Sequence, residues 1–300
     1  MPVIGLGTFM SRGFEVEEAV YNAILVGYRH IDTADLALAR AINESLVNRS
    51  EVFLVSKLWP THYRQDLVRQ RVDRILNDLN VEYLDQLLLH MPEAWEYREN
   101  NDKSANFFPT TAEGLTAVNK SHNIMETWRV LESLYDEGKD GADGPFIISL
   151  VTIFLSGIHR MCNTLSRIFR VQRLKDLGEL HYQKVESLQA FGFSNRKYEH
   201  DGALPDVLGH AVVRAIAGKY GKTSAQVVIR WAIQRGTVVI PKSVKKGRIE
   251  ENINVFDFEL SPADMVEIDA IGVDPVRIFT LPFAADGRSI FDETLPDDEL

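Results

Sequence analysis

Three hundred residues, 45% hydrophobic and 25% charged, suit one large globular domain with an ample core. A net charge of −10 excludes a generally basic face, and with it broad nucleic-acid or anionic-membrane binding; an anionic ligand would need a local basic cluster. The single cysteine, Cys162, rules out an intrachain disulfide framework and suits a reducing, cytoplasmic setting. The opening stretch MPVIGLGTFMSRG has no basic segment followed by a long apolar core, so no secretory leader is expected.

The first half of the chain alternates short apolar runs with amphipathic ones. Pro2 to Gly7 reads as a strand, and Val16, Ala19, Val20, Ala23 and Ile24 have helical spacing. Tyr28 to Asp32 is the next strand, followed by a helix from about Ala39 to Leu46. Glu51 to Trp59 is a buried strand. Leu67, Val68, Val72, Ile75, Leu76 and Leu79 then share one helical face. Leu84 to Pro92 is a fourth strand, ended by Pro92. Near-continuous apolar strands alternating with helices predict a parallel sheet with helices outside, and this length favours closure into a (β/α)8 TIM barrel.

The middle breaks that rhythm. Glu93 to Lys120 is polar and loop-like, and NIMETWRVLESLYDEGK is an amphipathic helix closing on Gly138. Residues 139–187 form an atypical insert with an apolar run, Phe146 to Leu155. That run is about half the roughly 20 residues a membrane span needs. Its β-branched residues predict burial, as a strand filling the gap or a helix on the open side. The barrel is therefore expected to be incomplete or distorted over 139–190, within a single domain of residues 1–300.

Regularity returns with helices in PDVLGHAVVRAIAGKYG and TSAQVVIRWAIQRG, the second capped by Thr223 or Ser224. Thr237 to Ser243 is a buried strand. Two more helices follow, with Ser261-Pro262 a good N-cap and first-position pair. The acidic tail, 288–300, is expected to fray.

Three polar residues end apolar strands: Asp32, Lys57 and His90. Singly, each would be an ordinary cap, solvated charge or core histidine. Jointly, at the C-terminal ends of barrel strands, they are aimed at one mouth. A second cluster, Lys242, Ser243, Val244, Lys245, Lys246 and Arg248, is a basic island on an acidic chain. It flanks a helix start, whose free amides favour a phosphate. Gly5-Leu6-Gly7 lacks the third glycine and downstream acid of a dinucleotide fingerprint. No metal site is expected.

The pieces MPVIGLGTF, GYRHIDTA, EVFLVSKLW, YLDQLLLHMP, GKTSAQVVIRWAIQRG and VVIPKSVKKGRIEENINVFDFELS, in this order, resemble the aldo-keto reductase family over about two thirds of the chain. The resemblance implies a barrel enzyme that reduces aldehydes or ketones with NADP(H), acting as a monomer on a small carbonyl or alcohol substrate. It implies catalytic roles for Asp32, Lys57 and His90. It places Lys242, Ser243 and Arg248 at the adenosine 2′-phosphate, Val244 with them in the cofactor site, and Glu251 and Asn252 at the adenine. Phe191, Ser194 and Asn195, in AFGFSN, would lie near the nicotinamide, and Phe9, His90 and Met91 near the substrate, with Met91 where the family has tryptophan.

The family's fourth catalytic residue, a tyrosine, is absent. Counted from Asp32 its position is Ala37, and Asn43-Glu44 belongs to the following helix. Tyr28 and Tyr63 lie at the wrong ends of their strands to replace it. A phenol of pKa about 10 needs a neighbouring ammonium to ionise readily, which is the lysine's part in the family. Loss of a general acid costs about 10² to 10⁴ in rate. The alternative to an active reductase is thus an NADPH-binding pseudoenzyme, or the product of an altered gene model with residues skipped after Leu36 and read through at 139–187.

Overall fold

The computed structural model describes residues 1–8, 11, 13–32, 37–91, 93–99, 108–136, 147–150 and 206–272. Five parallel strands stand side by side in chain order: β1 (Leu6–Gly7), β2 (His30–Asp32), β3 (Phe53–Leu58), β4 (Gln86–Leu89) and β5 (Ile147–Leu150). Helices α1 (Phe14–Leu25), α2 (Ala37–Asn43), α3 (Gln65–Leu79) and α4 (Ile124–Asp136) connect them. Past the next described stretch come α5 (Ala211–Tyr220), α6 (Ser224–Gln234), α7 (Lys246–Ile253) and α8 (Pro262–Asp269).

The sheet continues beyond β1. Ile4 bridges Val239 and Gly7 bridges Lys242, both in parallel, and the Gly5 amide donates to the Val239 carbonyl at 2.8 Å. The run Thr237 to Ser243 therefore lies beside the first strand, the neighbour a closed barrel requires. It forms isolated bridges rather than the continuous strand expected. Pro241 is one reason, since it has no amide to donate.

Side-chain direction divides the sheet. Leu6, Ile31, Leu54, Leu58, Leu87 and Leu89 belong to the hydrophobic cluster that includes Val20 and Ile24 of α1, Val72 of α3 and Leu131 of α4. Alternate residues point the other way, into the barrel. His30 and Phe53, paired in register, meet edge to face at 5.5 Å. Gly5 packs against His30: a Cβ there would sit 2.7 Å from its ring. Only glycine permits that approach.

The sequence boundaries need small corrections. Helix α2 ends at Asn43, short of Leu46, and strand β4 is narrower than Leu84 to Pro92 because only four residues pair. Helix α6 is capped by Thr223, whose hydroxyl accepts from the Gln226 amide, and α8 by Ser261 with Pro262 next. Part of the apolar run, Ile147–Leu150, does form a strand beside β4. The rest of 139–187, residues 288–300, and the candidates Phe9, Phe191, Ser194 and Asn195 lie outside the described residues.

Candidate active site

Strand register brings the three strand-end residues together. Asp32 pairs with Val55, and Lys57 lies two residues further along β3, hence on the same face. Lys57 pairs with Leu88, and His90 again lies two residues further along. This steady advance is the strand stagger of a barrel, and it sets three inward side chains in a diagonal at the C-terminal edge.

The Lys57 ammonium is ion-paired with the Asp32 carboxylate; their side chains are 17% and 3% exposed. The Asp32 carbonyl also accepts from the Thr8 amide at 3.2 Å and the Thr8 hydroxyl at 3.1 Å, which fixes the end of β2 against β1. A charge this buried requires its partner, so neither residue of the pair is dispensable to the other.

His90 is held by its backbone amide, which donates to the Leu58 carbonyl at 3.1 Å. Burial, aided by the Lys57 charge, pushes the imidazole pKa down to about 3, so the ring is neutral at physiological pH. Its Nδ1 is sealed from solvent with no partner among the described residues. A buried unpaired N–H is costly, which favours the tautomer with the proton on Nε2. A neutral imidazole of this kind donates a hydrogen bond to an oxygen without bringing a net charge to it.

An aromatic group that the sequence reading did not single out stands beside it. The Trp59 ring lies 4.8 Å from His90, 5.4 Å from Trp95 and 5.4 Å from Phe108. Trp95 is 2% exposed and its amide donates to the Pro60 carbonyl at 3.1 Å, folding the loop after β4 over the end of β3. Met91 itself is buried, and its backbone is occupied: its carbonyl accepts from the Tyr63 hydroxyl at 2.7 Å and its amide donates to that hydroxyl at 2.9 Å.

The two tyrosines weighed as replacements are accounted for. Tyr63 is fully buried in that clasp, and burial raises its pKa far above the ordinary value. Tyr28 donates to the Ile249 carbonyl at 3.1 Å and is likewise raised by burial. Ala37 opens α2, and Glu44, just past its end, bonds Tyr21 and Arg40 on the outer surface.

The basic island stands at the same edge of the sheet. Lys242 bridges Gly7, whose register partner on the other side is Asp32. Helix α7 begins at Lys246 with no side chain capping its first turn. The Ser243 hydroxyl accepts from the Lys245 amide at 3.0 Å, setting the entry to the helix. Lys242, Lys245 and Arg248 are exposed and make no ion pair among the described residues. Glu251 accepts from the Thr223 hydroxyl at 2.7 Å, which ties α7 to α6, and Asn252 is buried. Open cations, free helix amides and a buried amide side chain fit an anionic dinucleotide's adenosine phosphate.

The family model described as the Aldo/keto reductase family matches residues 3–141 and 181–273. The chain belongs to the aldo-keto reductase family. It is 35% identical over 289 residues to aldo-keto reductase family 1 member A1 of Rattus norvegicus, covering 90% of this chain and 86% of that one. It is 35% identical over 291 residues to dihydrodiol dehydrogenase 3 of Bos taurus, with 90% and 88% covered. Among solved structures it is similar to the aldose reductase from Schistosoma japonicum, with a TM-score of 0.69 at 30% identity, covering 94% of this chain and 91% of that one. The (β/α)8 barrel of this aldo-keto reductase thus accounts for the six adjoining parallel segments described. No helix among the described residues is long and apolar enough to cross a membrane.

Proposed function

We propose that this aldo-keto reductase reduces a small aldehyde or ketone to the alcohol with NADPH, as a monomeric, cytoplasmic, single-domain enzyme. The observation that carries this reading is the diagonal of Asp32, Lys57 and neutral His90 one strand away from the basic island at Lys242. A nicotinamide cofactor, when bound, supplies the hydride. Lys242, Ser243, Val244 and Arg248 hold the adenosine 2′-phosphate, and Glu251 and Asn252 border the adenine. Phe191, Ser194 and Asn195 lie by the nicotinamide in this proposal, and Phe9 and Met91 by the substrate.

The division of labour follows from charge. Negative charge grows on the carbonyl oxygen as its carbon is reduced, so donors fixed in advance around that oxygen lower the barrier. His90 Nε2–H orients the oxygen. Asp32 holds the Lys57 ammonium in place through their ion pair. The Trp59, Trp95 and Phe108 rings exclude water and favour a flat apolar substituent on the carbonyl.

The test is NADPH oxidation by purified protein over a panel of aldehydes, run beside a titration of NADPH fluorescence. Turnover with saturable cofactor binding supports the proposal. Tight NADPH binding with no turnover on any carbonyl would establish the pseudoenzyme alternative instead.

A further inference from the structure

We propose that the Lys57 ammonium is itself the proton donor to the carbonyl oxygen, doing directly what a tyrosine does elsewhere in the family. This rests on the carbonyl-reduction reading above and assigns its missing step.

Of the described tyrosines, Tyr83 packs under the Arg49 guanidinium, Tyr97 meets the His62 ring at 5.5 Å and Tyr135 is exposed on α4, and four others have committed hydroxyls. No tyrosine occurs between Asp32 and Lys57 in the sequence. The Tyr28 and Tyr63 hydroxyls are committed to the Ile249 carbonyl and the Met91 backbone. Tyr21 and Tyr220 donate to Glu44 and Asp264 on the helices. His90, neutral across the physiological range, holds an oxygen but is a much weaker acid than any ammonium.

Lys57 has what is required. An ammonium has three N–H donors, and Asp32 is its one partner among the described residues. The remaining donors belong to a side chain that shares the inward face with His90, two residues away in register. The intrinsic acidities match as well: lysine at about 10.4 and tyrosine at about 10 are acids of nearly equal strength. Without the tyrosine, the ammonium is the charged N–H donor that remains on this face beside His90 among the described residues.

The step balances. The carbonyl carbon accepts a hydride from the reduced nicotinamide, and the C=O π pair moves to oxygen. An O–H bond forms as a Lys57 N–H bond breaks, with the electron pair left on Nζ. The nicotinamide is oxidised and the carbonyl reduced. Asp32 stays anionic, and the neutral amine beside it regains a proton from water once the alcohol departs.

Arginine at this position keeps the charge but gives up a proton far less readily, since a guanidinium is a much weaker acid than an ammonium. Lys57→Arg and Lys57→Met should therefore both lower kcat by about 100-fold or more, with NADPH affinity within about 2-fold of the parent. A readout without turnover uses protein labelled with 13C at lysine Cε, bound to NADP⁺ and titrated with acetate as an oxygen mimic. The resonance absent from Lys57→Arg and Lys57→Met should shift on acetate binding. Turnover in Lys57→Arg within about 3-fold of the parent would overturn the proposal alone, because charge would suffice. So would a matching loss in Tyr182→Phe or Tyr198→Phe, which would make a phenol the donor, or a Lys57 resonance indifferent to acetate. A parent that binds NADPH and reduces no carbonyl would overturn this proposal together with the reading it rests on.

Discussion

The Tyr28 hydroxyl donates to the carbonyl of Ile249, 221 residues downstream, at 3.1 Å. One bond thus joins the approach to strand β2 with the middle of helix α7, which holds Arg248 of the proposed phosphate site. Val20, Ile24 and Ile249 are buried in the same hydrophobic cluster. Tyr28→Phe should cost about 1 kcal/mol in urea denaturation, the net worth of one buried hydrogen bond, and weaken NADPH slightly through a looser helix. It should leave kcat unchanged. A collapse of kcat with cofactor still bound would give Tyr28 a chemical role that its position argues against.

Tyr63→Phe should be more damaging, by about 2 to 4 kcal/mol, because it leaves both the Met91 amide and carbonyl buried without a partner. Denaturation of the two variants side by side tests the ranking. Equal costs would mean that the Met91 backbone finds other partners.

Arg248→Ala should weaken NADPH about 10- to 100-fold while changing NADH little, since only the former has a phosphate for the guanidinium to pair. Fluorescence titration with both cofactors decides it. Equal weakening would move the 2′-phosphate elsewhere.

His90 gives a pH signature. Its folded pKa, about 3, lies below the ordinary 6.5, so between those values the unfolded chain binds a proton that the folded one refuses. Stability is then complete above pH 6.5 and declines as pH falls, by about 1.4 kcal/mol at pH 5.5 from this group. Burial lowers His30 in the same direction. His90→Gln should flatten the decline between pH 7 and 4 in denaturant melts. An unchanged slope would show that His90 takes up a proton freely in the folded state.

Trp95→Ala should raise KM for benzaldehyde-like substrates about 10-fold and leave that of a small polar aldehyde within about 2-fold, as expected for a lost aromatic contact. Uniform increases across both would point to a general loosening of the loop after β4.

The alternation of apolar strands and helices, with Asp32, Lys57 and His90 at strand ends, was legible in the chain because strand period and helix period are local properties. So were the caps at Thr223 and Ser261, where one hydroxyl and one amide within three residues suffice. What the sequence could not supply was register. That Lys57 sits two residues past the partner of Asp32, and His90 two past that of Lys57, depends on pairing between segments far apart in the chain. The same holds for Lys242 beside Gly7. Nor could periodicity tell that Trp95 would fold back onto Trp59, since a loop of 28 mostly polar residues from Glu93 to Lys120 has no repeat to read. Most of all, the absence of a tyrosine was a fact of sequence, but its consequence belongs to the fold. Only the packed barrel shows Tyr28 and Tyr63 committed to distant backbone, and only there does the Lys57 ammonium stand paired with a buried carboxylate beside a neutral imidazole.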